Sequence, residues 1–431
     1  MSKRVIIIGN GVAGFTAAAT IREHDSETEI ILMTRETERF YNRMMLSKAL
    51  SSEELLDDIY MEEDSWYEEH KVTTMLACNV IRIEAKEKNI VYQDLSVPEE
   101  KQSNKKMKYD ALIYALGAQA FCPDIPGMNQ RGVGVLRSIE DAKRAQKQLK
   151  EAKHVVVIGG GILGLEMAWQ CKAAGKQVSV VEAADRLMEK QLDEEGSTFL
   201  QHLLHDEGIN VYCGRTVMEL VMGQDTARVS GMVIADKVET TIEHEQAVLE
   251  EDRAMQQSIP CDMVLVACGI TLNTKVALDS GLAVKKGVVV DEKMNTSVEG
   301  IFACGDCAES KEEGVGHGLW GEAKAMGETA GKNVVSYLKG ENQTAIYHED
   351  RVAFYFKALD TVLFSIGQIE VREESLNEWA IEKGITHQEC RDASAGTYEK
   401  YYYHKDELIG AILIGVPDKI PEVNERIGVL K

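Results

Sequence analysis

A strand, a glycine turn, a helix and a second strand follow one another twice in this chain, about 150 residues apart, and this duplication restricts the fold more than any other feature. The first copy runs RVIIIGNGVAG, FTAAATIREH and EIILMT; the second runs HVVVIGGGILG, LEMAWQCKAAG and QVSVVE. Apolar runs such as VIII and VVVI read as parallel strands covered on both faces. A period this long marks a duplicated nucleotide-binding unit, not a solenoid repeat. Each copy reads as a Rossmann half.

The glycine spacing carries the ligand class. Gly9, Gly11 and Gly14 form G-x-G-x-x-G directly after a strand and before a helix, and Gly159, Gly161 and Gly164 repeat the pattern. The first glycine allows the tight turn, the second lets a pyrophosphate approach N–H groups at the positive helix end, and the third lets helix and strand pack closely. Two bound dinucleotides are therefore expected, with Val12 and Ala13, and Ile162 and Leu163, counted in the two loops. Glu182 closes the strand VSVVE, where a carboxylate accepts from a ribose 2′-OH and repels a 2′-phosphate, an argument for NADH over NADPH. In the first copy Thr34 holds the strand end and Arg35 and Glu36 follow. Glu36 is the candidate ribose ligand there; the alternative is an ordinary solvated glutamate of the acidic loop TRETER.

The rest of the chain fits an α/β architecture of two Rossmann-like domains, the first discontinuous, plus a small α+β C-terminal domain. YDALIYALG (Tyr109 to Gly117) reads as another buried strand, and Pro123, Pro126 and Gly127 mark a linker, placing a boundary near residue 120. Further strands are expected at Met263 to Ala267 and Gly287 to Asp291, followed by IFACGDCAE and an amphipathic helix from Glu322 to Leu338. From about residue 345, AFYFK, TVLFSIG, TYEKYYYH and LIGAILIG alternate as in a small antiparallel sheet. The expected division is 1–120 and 285–344 for the first domain, 121–284 for the second and 345–431 for the third, serving partner docking or oligomerisation. Residues 222–260 are rich in Glu, Gln, Asp and Ala; they read as a charged surface hairpin whose periodicity allows a helix only around 243 to 257.

Charge and cysteine content narrow the function classes. The 48 Lys plus Arg against 71 Asp plus Glu give a formal charge of −23, which repels phosphate backbones and anionic membranes, so nucleic acid is not an expected partner. The N-terminal apolar run is too short for a signal-peptide core or a membrane span, and a cytoplasmic protein without membrane insertion is expected. Nine scattered cysteines suit reduced thiols better than a disulfide framework.

With two glycine loops, YDALIYALGA and EGIFACGDCAE in this order, the sequence resembles the FAD-dependent pyridine nucleotide oxidoreductases with two dinucleotide-binding domains, over residues 3 to 340. FYNRMMLSKAL, DDIYMEEDSWYEEHKV and RLMEKQLDEEGSTFLQHLL are similar to the branch of NADH:rubredoxin reductases, ferredoxin reductases and the flavin part of nitrite reductases. The resemblance implies FAD in the first domain and NADH in the second. It implies that Arg43 and Lys48 line the FAD site with Lys48 near flavin N5, where an ammonium stabilises the reduced ring. Glu166 matches the glutamate that pairs with this lysine beside the nicotinamide, the bland alternative being a carboxylate that favours the helix dipole. Asp306 matches the aspartate that bonds the flavin ribityl chain, and Gly305 lets the backbone approach. Ala115 and Gly117 belong to the same FAD set, and Gly269 to the NAD set. Trp320 matches an aromatic position near the flavin, with a buried packing tryptophan as the alternative.

Residues 36–55 contain no cysteine, so disulfide- or peroxide-reducing members of the family are poor guides. Cys304 and Cys307 form C-x-x-C but straddle the Gly305–Asp306 pair, which argues against a redox dithiol. No metal or iron–sulfur motif accompanies them, and His317 reads as a structural histidine. The implied function is transfer of electrons from NADH through FAD to a redox protein such as rubredoxin or ferredoxin. The alternatives are a subunit of a larger electron-transfer complex, an NADH oxidase using O₂, and a non-enzymatic FAD/NADH sensor. Rubredoxins are usually acidic, so a chain of this charge needs a locally basic docking patch, with Lys400, His404 and Lys405 as candidates.

Overall fold

The computed structural model describes residues 2–223, 228–237, 256–311, 314–316, 318–348, 353–369 and 384–427. The chain divides into two compact units. The first comprises Met1–Asn42, Asp58–Gln119 and Ile270–Asp350; the second comprises Arg43–Asp57, Ala120–Gly269 and Arg351–Lys431.

In the first unit five parallel strands run in the order Ile301–Ala303, Ala111–Tyr114, Arg4–Ile8, Glu29–Met33, Val72–Met75. The central run Val5–Ile8 is wholly buried, as a strand covered on both faces must be. The helix Val12–His24 packs against the helix Trp320–Lys339, and small residues make that approach close. A Cβ on Gly327 would lie 2.4 Å from the Ala13 carbonyl oxygen, and one on Gly331 2.9 Å from that of Ala17. The sequence pattern placed this second helix at 322–338, within its two end residues on the N-terminal side. Three antiparallel strands, Cys78–Glu84, Asn89–Asp94 and Lys105–Lys108, were not legible as such.

The second unit repeats the plan, with parallel strands in the order Ile209–Tyr212, Gln177–Val181, His154–Ile158, Met263–Val266, Val133–Val135. Of the acidic stretch 222–260, the described parts are antiparallel strands Val229–Asp236 and Gln257–Pro260 beside Arg215–Met222. The helix expected around 243–257 lies outside the described residues as far as 255, and Gln257 opens a strand instead.

A five-stranded antiparallel sheet closes this unit, in the order Ala353–Ala358, Thr361–Gly367, Glu407–Ile414, Thr397–His404, Ile385–Asp392. The sequence pattern missed Ile385–Asp392 because this edge strand is exposed along almost its whole length and has no apolar alternation to show. Lys400 requires a correction. It is 2% exposed, and its ammonium reaches Asp193 Oδ2 at 2.6 Å and Glu195 Oε2 at 3.1 Å. The Tyr398 and Tyr402 hydroxyls donate to the same Asp193 carboxylate at 3.2 and 3.1 Å. Burial alone would lower the Lys400 pKa, but the two carboxylates hold it above its ordinary value. A lysine committed to a buried ion cluster cannot greet a partner; of the candidate patch, Lys405 is exposed and His404 half-buried.

Candidate dinucleotide loops and redox site

The first glycine loop has the geometry that its spacing demands. Gly9 has φ +118°, and a Cβ there would sit 2.0 Å from the Ala115 carbonyl oxygen; one on Gly14 would sit 1.9 Å from that of Gly9. Gly11, in contrast, has nothing within 4 Å of its missing Cβ. It is the N-cap of Val12–His24, and no side chain caps that helix and no acid occupies its first turn. The helix thus starts at Val12 and Ala13 without a side-chain cap, with open space over Gly11 at the positive end of its dipole, a cradle that fits a pyrophosphate. Gly305 (φ +75°) comes so near that its Cβ would lie 2.8 Å from that of Ala13, which sets the half-buried Asp306 beside the same helix start. Ala115 follows the strand Ala111–Tyr114 and lies against Gly9, and Gly117 (φ +59°) comes two residues later.

The outlying residues of this set differ in standing. Arg35 is exposed, while half-buried Glu36 accepts a 2.6 Å hydrogen bond from the Tyr41 hydroxyl. Trp320 opens its helix and stacks on Phe40 (5.7 Å, 23°), which stacks in turn on Phe15 (4.4 Å, 14°). That aromatic file gives the indole a packing role.

The second loop has the same construction. Gly159 (φ +113°) could hold no Cβ against the Ala267 carbonyl oxygen at 2.4 Å, and Gly164 none against that of Gly159 at 2.0 Å. Gly161 again has open space over it and caps Ile162–Ala173 without a side-chain bond. Leu163 in the first turn is 41% exposed, and Gly269 (φ +102°) follows the strand Met263–Val266. Glu182 closes Gln177–Val181, accepting from Gly160 N–H at 2.5 Å and Ala184 N–H at 2.7 Å. Its carboxylate is thus held against the glycine turn at the strand end where a ribose is expected.

Arg43, Lys48 and Glu166 all fall in the second unit. The short helix Leu46–Ala49 is pinned by the Gln146 amide, which donates to Ala49 C=O at 2.6 Å, and Lys150 pairs with Glu53. Arg43 donates to the Arg137 carbonyl at 2.7 Å. Ser47 donates to Glu166 Oε2 at 2.8 Å. Burial pushes the Glu166 carboxyl above its ordinary range, against the Ser47 hydrogen bond and the Lys48 charge, which both pull it down. Ser47 is the partner that sequence reading missed. It precedes Lys48, but 119 residues separate it from Glu166 and only the fold joins them.

Cys304 and Cys307 are fully buried, and burial pushes Cys307 up to about 12 and Cys304 well above the ordinary thiol range. Neither is a nucleophile in this setting. Among the described residues no cluster of His, Cys, Asp or Glu could hold a metal, and no helix is long and apolar enough to cross a membrane. His317 lies outside the described residues.

Residues 3–327 match the family model described as pyridine nucleotide-disulphide oxidoreductase. Nitrite reductase [NAD(P)H] of Bacillus subtilis is 29% identical over 96% of this chain, which spans only 46% of that enzyme's length. Rubredoxin-NAD(+) reductase of Pseudomonas putida is 32% identical over 70% of this chain and 71% of its own. A ferredoxin reductase from Rhodopseudomonas palustris shares the fold, with a TM-score of 0.78 at 23% identity over 96% of this chain and 91% of that one. The chain belongs to the pyridine nucleotide-disulphide oxidoreductases.

Proposed function

We propose that this chain takes hydride from NADH at the second glycine loop, holds FAD at the first, and passes the electrons to a small redox protein such as rubredoxin or ferredoxin. The observation that carries this reading is the pair of uncapped helix starts, each with open space over its central glycine, Gly11 or Gly161. Bound FAD supplies a two-electron acceptor that can release electrons singly, which suits a one-electron iron protein. In this reading Gly9, Gly11, Gly14, Ala115, Gly117, Gly305 and Asp306 hold FAD, with Glu36 on its ribose. Gly159, Gly161, Gly164 and Gly269 hold NADH, with Glu182 on the ribose. Ser47 orients the Glu166 carboxylate, and Lys48 supplies the nearby positive charge that steadies it. These two charged side chains form the candidate catalytic pair.

The absence of cysteine from residues 36–55 removes the thiol that disulfide-reducing members of the family need, and it favours a protein acceptor. A second reading, a flavin subunit of a larger electron-transfer complex, is favoured by the 46% share of the nitrite reductase that this chain spans. Anaerobic NADH should bleach the yellow protein rapidly, and added rubredoxin or ferredoxin should raise turnover well above that with O₂ alone. A colourless protein that fails to take up FAD overturns the first step. Turnover indifferent to either iron protein overturns the acceptor, and a co-purifying subunit supports the complex.

A further inference from the structure

All nine cysteines are free thiols, and two of them, Cys122 and Cys268, lie on adjoining chain segments. The Asn273 N–H donates to Gly117 C=O and the Phe121 N–H to Gly269 C=O, each at 2.9 Å. The two bonds flank the ribbon of Ala118–Ala120 with Ile270–Leu272, and Cys122 and Cys268 are the next residues beyond its Phe121–Gly269 end, on adjoining segments, with Cys268 at a bend before Gly269 (φ +102°). Cys122 is exposed and Cys268 half-buried.

The surroundings tie this pair to the second glycine loop. Cys268 Sγ points at the Ile158 carbonyl oxygen, 3.6 Å away. Ala267, its neighbour, is the residue against which Gly159 and Gly164 close. Burial, then the Glu182 charge, then the Cys122 thiol push Cys268 up to about 11, so Cys268 stays protonated at neutral pH.

We propose that Cys122 and Cys268 are a redox-active dithiol that reacts with a hydroperoxide and closes to a reversible disulfide beside the second glycine loop. Exposed Cys122 is the attacking sulfur. Its thiolate takes one oxygen of hydrogen peroxide, the S–O bond forming as O–O breaks, and hydroxide leaves and is protonated to water. The Cys268 sulfur then attacks that sulfenic sulfur; S–S forms, S–O breaks, and the oxygen departs as a second water with the Cys268 proton. Two thiols are oxidised and one peroxide is reduced to two waters. The contrast with Cys304 and Cys307 is one of access, since both of those are sealed from any oxidant. This inference is independent of the electron acceptor and needs no turnover to test.

The test uses the full chain, reduced, freed of reductant and exposed under argon to an equimolar amount of hydrogen peroxide, then alkylated and mapped by mass spectrometry. Loss of two of the nine thiols, a Cys122–Cys268 linked peptide and recovery of both thiols with dithiothreitol are expected. In Cys268→Ser, Cys122 should stop at a sulfenic acid that dimedone traps; in Cys122→Ser, thiol loss at this dose should slow at least about tenfold. A linked peptide joining any other pair, unchanged thiol loss in Cys122→Ser, or no loss in the unsubstituted protein would overturn the proposal. The unsubstituted protein alone yields the linked peptide, so a variant that misfolds does not rescue the idea.

Discussion

The two glycine loops are copies in backbone and strangers in side chain. Gly9 and Gly159, Gly11 and Gly161, and Gly14 and Gly164 meet the same kinds of neighbour at nearly the same distances. Ala115 and Ala267, from the strand beside each turn, close the two first glycines in the same way. What differs is what each loop does with carboxylates. The second holds Glu182 on its own backbone N–H groups and carries Glu166 one turn into its helix. The first has Thr16 where the second has Glu166, and Glu36, past its strand end, is engaged by Tyr41. Backbone geometry recognises the pyrophosphate that both dinucleotides share; side chains distinguish the rest of the ligand and the chemistry.

The sharpest way to break the equivalence is to add a methyl group at matched glycines. Gly9→Ala and Gly159→Ala force Cβ into a carbonyl oxygen at 2.0 and 2.4 Å, with a strained φ besides, and each should cost more than about 4 kcal/mol or abolish folding. Gly11→Ala and Gly161→Ala meet nothing and should leave thermal stability within about 0.5 kcal/mol. The first should nonetheless lose flavin on purification, and the second should raise the Kd for NADH. Thermal unfolding beside the flavin absorbance separates the two effects. Equal destabilisation at all four positions would refute the division of labour among the glycines.

Next in size is a feature that only the second unit has. Lys400→Met leaves the Asp193 carboxylate buried beside two tyrosines, and loss of one partner from such a pair costs about 3–5 kcal/mol. Denaturant unfolding should show the drop, while flavin content of the folded protein should hold. The alternation in TYEKYYYH already contained this answer, for residues two apart in a strand share a face. Tyr398, Lys400 and Tyr402 share one, and a lysine between two aromatics on a buried face needs a carboxylate. Composition argued for a docking patch; periodicity argued for burial, and periodicity was the better guide.

Legibility elsewhere followed the same division. The glycine loops, the parallel strands and the helix before Gly340 were readable because each is set by a few consecutive residues. Ser47 with Glu166, the grouping of Arg43–Asp57 with the second unit, and the polar edge strand Ile385–Asp392 were not, because they depend on distant chain segments or on an edge that needs no apolar pattern. A smaller perturbation probes the side-chain difference directly. Glu182→Ala removes the carboxylate that the second loop holds and should weaken NADH binding about tenfold, equivalent to about 1.4 kcal/mol. Glu36→Ala should change flavin retention less, since Glu36 lies in the loop past its strand end, whereas Glu182 is fixed against the glycine turn by Gly160 N–H. Titration of NADH against each variant checks the order.

The smallest effect concerns Glu166, and its sign is fixed by burial. The folded carboxyl titrates above its ordinary value of 4.5, so the folded state binds this proton more tightly than the unfolded chain does. Its contribution to stability is fully present below 4.5 and is lost as pH rises through the raised folded value. Glu166→Gln keeps the shape, and its amide can still accept from Ser47, but it cannot titrate. Differences in melting temperature between Glu166→Gln and the unsubstituted protein should therefore shift in favour of Glu166→Gln as pH climbs across that interval, then level off. Thr16→Glu, which places a carboxylate at the matching position of the first helix, tests whether the property belongs to the loop or to its surroundings. A pH dependence of the same sign there would assign it to the shared backbone plan. Its absence would assign it to the pocket that Ser47 and Lys48 build around Glu166 alone.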